Sequence, residues 1–281
     1  MEVIWDGFLN LLPGEWDVFK EWFVWSFLLH GLWLSVKIAG ISIVLSLIVG
    51  VLMAVARLAP LRLVRYVAGT YVETFRATPL LLLLFFIFFG ATRVDTTWLL
   101  NVPFGSLLVD ASGHLDRMPS AVLALTLYNS AVVAEIMRAG ILSISKGTIE
   151  AARSLGLSYM QSMRFVAVPM ALRRMAPGLV SQLITLFKDT SLASLIGVVE
   201  LLRRGGIIYN TTSYSVFYGH GNSITVEVLT VVALMYFIPC YILSLIAQHL
   251  ERGPEQRVQR DRQIAGLASP GAAATKTGGG G

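Results

Sequence analysis

Residues 26–57 read SFLLHGLWLSVKIAGISIVLSLIVGVLMAVAR, an apolar run in which Lys37 and the final Arg57 are the charged side chains. A helix that crosses a bilayer needs about 20 mostly apolar residues, and this run is longer. The whole chain is 55% hydrophobic and 14% charged, whereas soluble domains carry about 25% charged residues. The run therefore predicts a membrane-spanning helix with length to spare for tilting.

Four further apolar segments follow, so we predict an all-α integral membrane protein with five spanning helices. The predicted spans are residues 25–57, 66–90, 118–141, 177–201 and 225–250. Residues 92–117 and 202–224 are predicted to be loops. The membrane domain is taken as residues 25–252. Residues 1–24 are rich in tryptophan and fit either an interfacial segment or an unstructured tail, and residues 253–281 are predicted to be disordered.

The basic residues predict the orientation of the bundle. The net charge is +5, and the basic residues cluster between apolar segments, which is typical of membrane orientation rather than of nucleic-acid binding. Three segments are basic: residues 57–65, 138–174 and 252–262. Placing them in the cytosol puts the N-terminus outside and the C-terminus inside. Arg203 and Arg204 break this pattern.

Between the third and fourth predicted spans, residues 146–175 read KGTIEAARSLGLSYMQSMRFVAVPMALRRM. Thr148 is a candidate N-cap for a short helix, and Gly156 is a candidate C-cap. Ser158 is a candidate cap for a second helix, and Pro169 is expected to end it. The pattern predicts a short cytosolic helix between glycines, either a lever that contacts a partner or an ordinary connection.

The residues of this segment carry a family resemblance. The order Glu150-Ala151-Ala152, three residues, Gly156, nine residues and then residues 166–169 (VAVP) resembles the EAA motif of bacterial ABC-importer permeases. The chain keeps the spacing of that motif and replaces its isoleucine and leucine with valines.

Three other stretches resemble polar amino-acid permeases within that group. They are YVETFRATPLLLLLFFIFFG (71–90), YNSAVVAEIMRAGILSISKG (128–147) and FKDTSLASLIGVVEL (187–201). The resemblance covers about residues 28–252.

The resemblance implies a subunit of a type I importer in a bacterial cytoplasmic membrane. The partners it implies are cytosolic ATPase subunits, a second permease subunit that is identical or related, and a periplasmic or lipid-tethered amino-acid-binding protein. ATP and Mg would be bound by the ATPase, since the chain contains no G-x-x-x-x-G-K-[ST] motif. The chain is therefore expected to bind no cofactor and to be no enzyme. The implied ATPase-coupling residues are Glu150, Ala151, Ala152 and Gly156.

Polar side chains inside predicted spans are expensive in lipid and usually face an interior or a water-filled path. The candidates for a substrate pathway are Asn129, Gln182, Thr185, Lys188 and Asp189. The candidates for a gating or structural charge network are Glu73, Arg76, Glu135 and Arg138. For Lys188 and Asp189, a structural ion-pair role stays open beside a role in binding a zwitterionic amino acid.

Two other classes of protein were weighed. A secondary amino-acid transporter or channel without an ATPase would favour paired broken helices in inverted repeats. An intramembrane enzyme would need a catalytic or metal-binding cluster, but the four histidines are scattered along the sequence and none lies in an H-E-x-x-H frame. The single cysteine, Cys240, is expected to be a buried apolar residue.

Overall fold

The computed structural model describes residues 16–91, 115–211 and 224–251. Nine α-helices occur in these ranges. They are α1 (Trp22–Arg57), α2 (Arg62–Ala77), α3 (Leu80–Ala91), α4 (Arg117–Leu142), α5 (Lys146–Ser154), α6 (Tyr159–Ser162), α7 (Val168–Asp189), α8 (Leu201–Asn210) and α9 (Thr225–Glu251). Four helical stretches in the described ranges are long and apolar enough to cross a membrane, and the bent pair α2–α3 counts as a fifth. The predicted all-α membrane fold is confirmed.

The second span is broken, so the prediction of one continuous helix over residues 66–90 is wrong. The axes of α2 and α3 meet at 103°. Pro79 lies at the break, and it disfavours a helical conformation for the residue before it. Thr78 is accordingly extended, with φ −84° and ψ 128°, and its hydroxyl donates to the Thr74 carbonyl at 2.8 Å.

The fourth span also differs from its prediction, at both ends. Its helix α7 begins at Val168, well before residue 177, and Pro169 lies in the first turn, where a missing N–H costs nothing. Pro169 therefore opens a helix rather than ending one. After Asp189 the chain continues as a 3-10 helix, Thr190–Ile196, and turns at Gly197 with φ +83°.

Residues 202–224 were predicted to be a loop, and this is wrong for their first part. Helix α8 occupies Leu201–Asn210 and packs against α1 and α9. Leu201 and Ile208 share a buried cluster with Leu28 of α1 and Val228 of α9. The apolar face of α8 holds this short helix in place. In the sequence, glycines and arginines between the apolar residues made the segment resemble a loop.

The tryptophan-rich N-terminal segment is described from Trp16 onward. A 3-10 helix, Asp17–Lys20, precedes α1, which begins three residues before the predicted position. Val18 and Phe19 are buried, and the Trp25 indole donates to the Phe19 carbonyl at 2.7 Å. Val18, Phe19 and Val24 therefore pack on the bundle, whereas residues 1–15 of the predicted 1–24 segment and residues 253–281 lie outside the described residues.

The closest helix pairing is that of α1 with α4, which share the largest interhelical contact. A Cβ built on Gly50 would lie 2.5 Å from Val133 Cγ1 and 3.1 Å from the Ser130 carbonyl oxygen. Nearby, the Ser46 hydroxyl donates to the Thr126 carbonyl at 3.4 Å. Small residues let helix backbones approach closely in lipid, so Gly50 sets the spacing of this pair.

We predict that Gly50→Ala lowers the stability of the protein in detergent, because its methyl group must displace Val133 or separate the helices. Overpacking of this kind costs about 1–3 kcal/mol. The measurement is the Tm of the purified protein. Gly40→Ala is the matched control on the same helix, since nothing lies within 4 Å of a Cβ there. Equal Tm values for the two variants would contradict the prediction.

Candidate functional site

The segment between α4 and α7 contains the short helix α5. Its N-cap is Ser145, whose hydroxyl accepts from the Thr148 N–H at 3.3 Å. The predicted cap, Thr148, instead lies inside the helix, three residues further on. Ser158 caps α6 as predicted, and with Gln161 it forms a capping box in which each side chain bonds the other's backbone N–H.

Gly156 ends α5 in the left-handed conformation, with φ +88°. The Gly156 N–H donates to the Arg153 carbonyl at 2.9 Å, and the Leu157 N–H donates to the Ala152 carbonyl at 3.3 Å. These two bonds form a Schellman motif. Glycine adopts this conformation without the steric cost that other residues meet, so the structure supports Gly156 as the terminator of α5.

The four predicted coupling residues are not equally accessible. Glu150, Ala151 and Gly156 are exposed, whereas Ala152 is buried, and α5 packs against the turn that follows α6. Leu155, which sequence reasoning missed, is 86% exposed. The exposed surface of α5 therefore combines a carboxylate, a small residue and a large apolar side chain.

A π-helical turn, Met163–Ala167, joins α6 to α7. The Val168 N–H donates to the Met163 carbonyl five residues earlier. Pro169 has no N–H, so the helical bond back to residue 165 cannot form, and the wider turn takes its place. The predicted motif residues 166–169 thus form the junction through which α5 and α6 connect to the spanning helix α7.

The predicted charge network is present and contains one further member. Glu135 of α4 accepts from Arg57 of α1 (Nη1–Oε2 2.5 Å) and from Arg138 (Nη2–Oε1 2.5 Å). Arg76 of α2 approaches Glu135 Oε2 to 3.9 Å, and Arg57 Nη2 lies 3.3 Å from Glu73 Oε1. Arg57, at the end of the apolar run, is the member that sequence reasoning missed. We call these five residues the charge cluster; they join α1, α2 and α4.

The predicted pathway residues fall into three groups. Asn129 is buried halfway along α4, and its side-chain oxygen accepts from the Gln182 amide of α7 at 2.6 Å. Asn129 also donates to the Leu125 carbonyl at 2.8 Å. This pair is satisfied within the chain and fastens α4 to α7 at the middle of the bundle.

Thr185 and Lys188 lie on the exposed side of α7. Arg174, Gly178 and Ser181 are exposed on the same side, and their spacing of three and four residues forms one stripe along the helix. We call these five residues the α7 stripe. These five positions are polar or small, and polar side chains are costly where a helix faces lipid.

The Asp189 side chain does not lie on the α7 stripe. It borders a tight crevice, too small to hold a water molecule, whose other walls include Leu80, Leu84, Leu125 and Leu192. Asp189 is only partly exposed. Lys188, its neighbour in sequence, lies on the exposed stripe, so the two side chains have different surroundings.

Metal binding has no support in the part of the chain that the structure describes, where no group of three or more His, Cys, Asp or Glu side chains is placed to hold an ion. Cys240 is partly buried.

Comparison with known proteins supports the predicted family. The model of the family described as binding-protein-dependent transport system inner membrane component matches residues 46–256. The chain is 38% identical over 226 residues to the probable glutamine ABC transporter permease protein of Bacillus subtilis, covering 80% of this chain and 93% of that protein. It is 33% identical over 261 residues to the L-cystine transport system permease protein of the same organism, covering 90% and 100%.

A solved structure agrees with these relatives. The crystal structure of an amino acid ABC transporter with histidines matches with a TM-score of 0.68 at 26% identity, covering 86% of this chain and 99% of that chain. The family model and both relatives cover most of the sequence, including α5, the charge cluster and the α7 stripe. The chain therefore belongs to the family of inner membrane components of binding-protein-dependent transport systems.

Proposed function

We propose that this chain is the permease subunit of an ATP-binding-cassette importer for polar amino acids. Its relatives are named for glutamine, cystine, glutamate and arginine transport, which supports an amino acid with a polar side chain as substrate. A separate cytosolic ATPase binds ATP and Mg and hydrolyses the nucleotide. A binding protein outside the membrane delivers the substrate, and a second permease subunit completes the pathway.

The observation that carries this proposal is the exposed helix α5. It lies outside the helices long enough to cross a membrane, it is rigidly capped at both ends, and Leu155 projects from its end at 86% exposure. A large apolar side chain displayed on a capped helix fits a groove in a partner. The π turn and α7 then connect that groove to the interior of the bundle. In this proposal, Glu150, Ala151 and Gly156 lie at the contact with the ATPase, and the buried Ala152 supports α5 from below.

The orientation follows from charge. The end of the bundle that carries α5 and the charge cluster has the basic residues expected at the cytosolic surface of a bacterial cytoplasmic membrane. The N-terminus then lies outside and the C-terminus inside. Arg204 does not contradict this orientation, because its side chain packs within the fold instead of serving as a free surface charge. Its guanidinium lies 4.4 Å from the Phe27 ring centroid.

The α7 stripe is proposed as the part of this subunit that lines the substrate pathway. Thr185 and Lys188 lie on it, while Gln182 and Asn129 hold α7 in place behind it. Asp189 lies in the apolar crevice beside the stripe and does not contact substrate in this conformation. The charge cluster takes a structural role, in which Glu73, Arg76, Glu135 and Arg138 fasten α2 and α4 to α1 through Arg57.

We predict that Leu155→Asp detaches the ATPase, because a charge replaces the apolar anchor in the docking groove. Loss of a buried anchor at an interface costs about 2 kcal/mol or more, which weakens binding roughly 30-fold. The measurement is the amount of ATPase subunit that copurifies with the tagged permease. Gly147→Ala is the control, since this glycine is helical and exposed in α5 with nothing within 4 Å of a Cβ. Unchanged copurification of the Leu155→Asp variant would contradict docking at α5.

We predict that Thr185→Phe blocks uptake while the ATPase stays bound, because the ring projects from the α7 stripe into the pathway. The measurement is uptake of radiolabelled glutamine, arginine, glutamate and cystine into vesicles that contain the assembled importer.

Thr230→Phe provides the matched control for this prediction. Thr230 is also exposed, and like Thr185 it donates its hydroxyl to the carbonyl four residues earlier, but it lies on α9. Its variant is expected to keep normal uptake. Equal uptake by both variants would show that the stripe does not line the pathway.

A further inference from the structure

A buried carboxylate joins three helices at the end of the bundle away from α5. Glu200 is the N-cap of α8 and is fully buried. Its Oε1 accepts from the Arg203 N–H at 2.8 Å, and its Oε2 accepts from the hydroxyls of Ser35 in α1 (3.1 Å) and Tyr236 in α9 (2.5 Å). The groups that bond its side chain are donors, and the positive end of the α8 dipole favours the same negative charge.

Arg204 adds a second attachment of α8 to α1. Its Nη1 donates to the Phe27 carbonyl at 3.0 Å and its Nε donates to the Val199 carbonyl at 3.2 Å. The two helices approach so closely that a Cβ on Gly31 would lie 2.7 Å from Arg204 Cδ and 2.9 Å from Leu201 Cα. We call Glu200, Ser35, Tyr236 and Arg204 the α8 clamp.

The clamp also holds one end of α7. The 3-10 helix and the turn at Gly197 connect Asp189 to Glu200 directly along the chain. The Tyr236 ring, whose hydroxyl bonds Glu200, packs edge-on against Phe187 of α7 with ring centroids 5.6 Å apart. Leu186 and Phe187 pack with Ala39 of α1. This end of α7 is therefore fixed to both α1 and α9.

The other end of α7 has a different environment. It begins directly at the π turn, and Pro177 removes one helical hydrogen bond from its interior. Its contacts there are with α4: Met175 lies under Gly140, and Arg174 donates to the Ser143 carbonyl at 2.6 Å. Along the chain, this end is the one joined to α5, through α6 and the π turn.

We propose that the α8 clamp is the fixed point about which α7 swings during transport. The clamp residues are positioning residues: they keep α8, α1, α9 and the Asp189 end of α7 together as one unit, while the Val168 end of α7 follows α5. This inference rests on the proposed coupling through α5. It adds that the movement of α7 ends at the α8 clamp.

Spin-label distances in the assembled importer test the proposal. One pair is placed at exposed positions near the clamp, Arg203 in α8 and Trp33 in α1. The other pair is placed at exposed positions near α5, Arg173 in α7 and Val55 in α1. Both pairs are made in a Cys240→Ala background, which removes the single native cysteine. Distances are compared without nucleotide and after trapping with ATP and vanadate.

The clamp pair is expected to keep its distance in both states, and the Arg173–Val55 pair is expected to change. A change at the clamp as large as that near α5 would overturn the proposal. If neither distance changes, the pivot is also wrong. In that case, substrate-stimulated ATPase activity in the same labelled complex would show that coupling through α5 survives. Failure of the proposed pivot can therefore be distinguished from failure of the proposed coupling.

Tyr236→Phe tests the clamp chemically, because it removes one donor to Glu200 and keeps the ring on Phe187. If the clamp is loosened, part of the ATP hydrolysis is no longer coupled to transport. The number of ATP molecules hydrolysed per amino acid imported is therefore expected to rise several-fold in a complex that still assembles. Tyr241→Phe, at an exposed tyrosine of the same helix, is the control and should leave the ratio unchanged. An unchanged ratio in Tyr236→Phe would overturn the role of the clamp. If the Tyr236→Phe variant does not assemble, the spin-label distances measured with the native clamp residues test the proposal.

Discussion

The close approach of α1 and α4 is the contact on which the other positions in this bundle depend. In lipid, helices gain little by hiding apolar side chains from one another, so close packing of small residues holds them together. Gly50 against Val133 provides that packing. With α1 and α4 at this spacing, Arg57 reaches Glu135 across the pair. On another face, Asn129 of α4 bonds Gln182 of α7, so the pathway helix takes its position from the same pair.

Much of the fold was predictable from the sequence because lipid imposes a length and a composition on each span. The places where prediction failed are those where local chemistry competes with that pattern. At Thr78–Pro79 the apolar run continues, but Pro79 disfavours helical backbone at Thr78, and the helix breaks there. At Pro169 the same residue type opens a helix, because it falls in the first turn. Hydropathy cannot distinguish these two prolines; their positions relative to helix ends decide.

The candidate site shows a similar division. Glu150, Ala151 and Gly156 are exposed on α5 as predicted from the motif, whereas Ala152 faces inward. The charged residues of α2 and α4 were predicted as one network, but Arg57 was taken only as an orientation signal, since the crossing of α1 over α4 is not visible in sequence. Lys188 and Asp189 are rotated by about 100° from one another on the helix, and the structure places them in different surroundings, while their roles stay a prediction. Glu200 gave no signal beyond a charge at the end of an apolar segment.

The break between α2 and α3 has a consequence for how the protein enters its membrane. The described part of helix α3, Leu80–Ala91, contains no charged side chain. Helix α2 carries Arg62, Arg65, Glu73 and Arg76, side chains that a translocon releases into lipid only reluctantly. Helix α2 is therefore a poor insertion signal by itself while it emerges from the ribosome. Helix α4 contacts both α2 and α3 and is translated after them, so α2 gains this contact only late in synthesis.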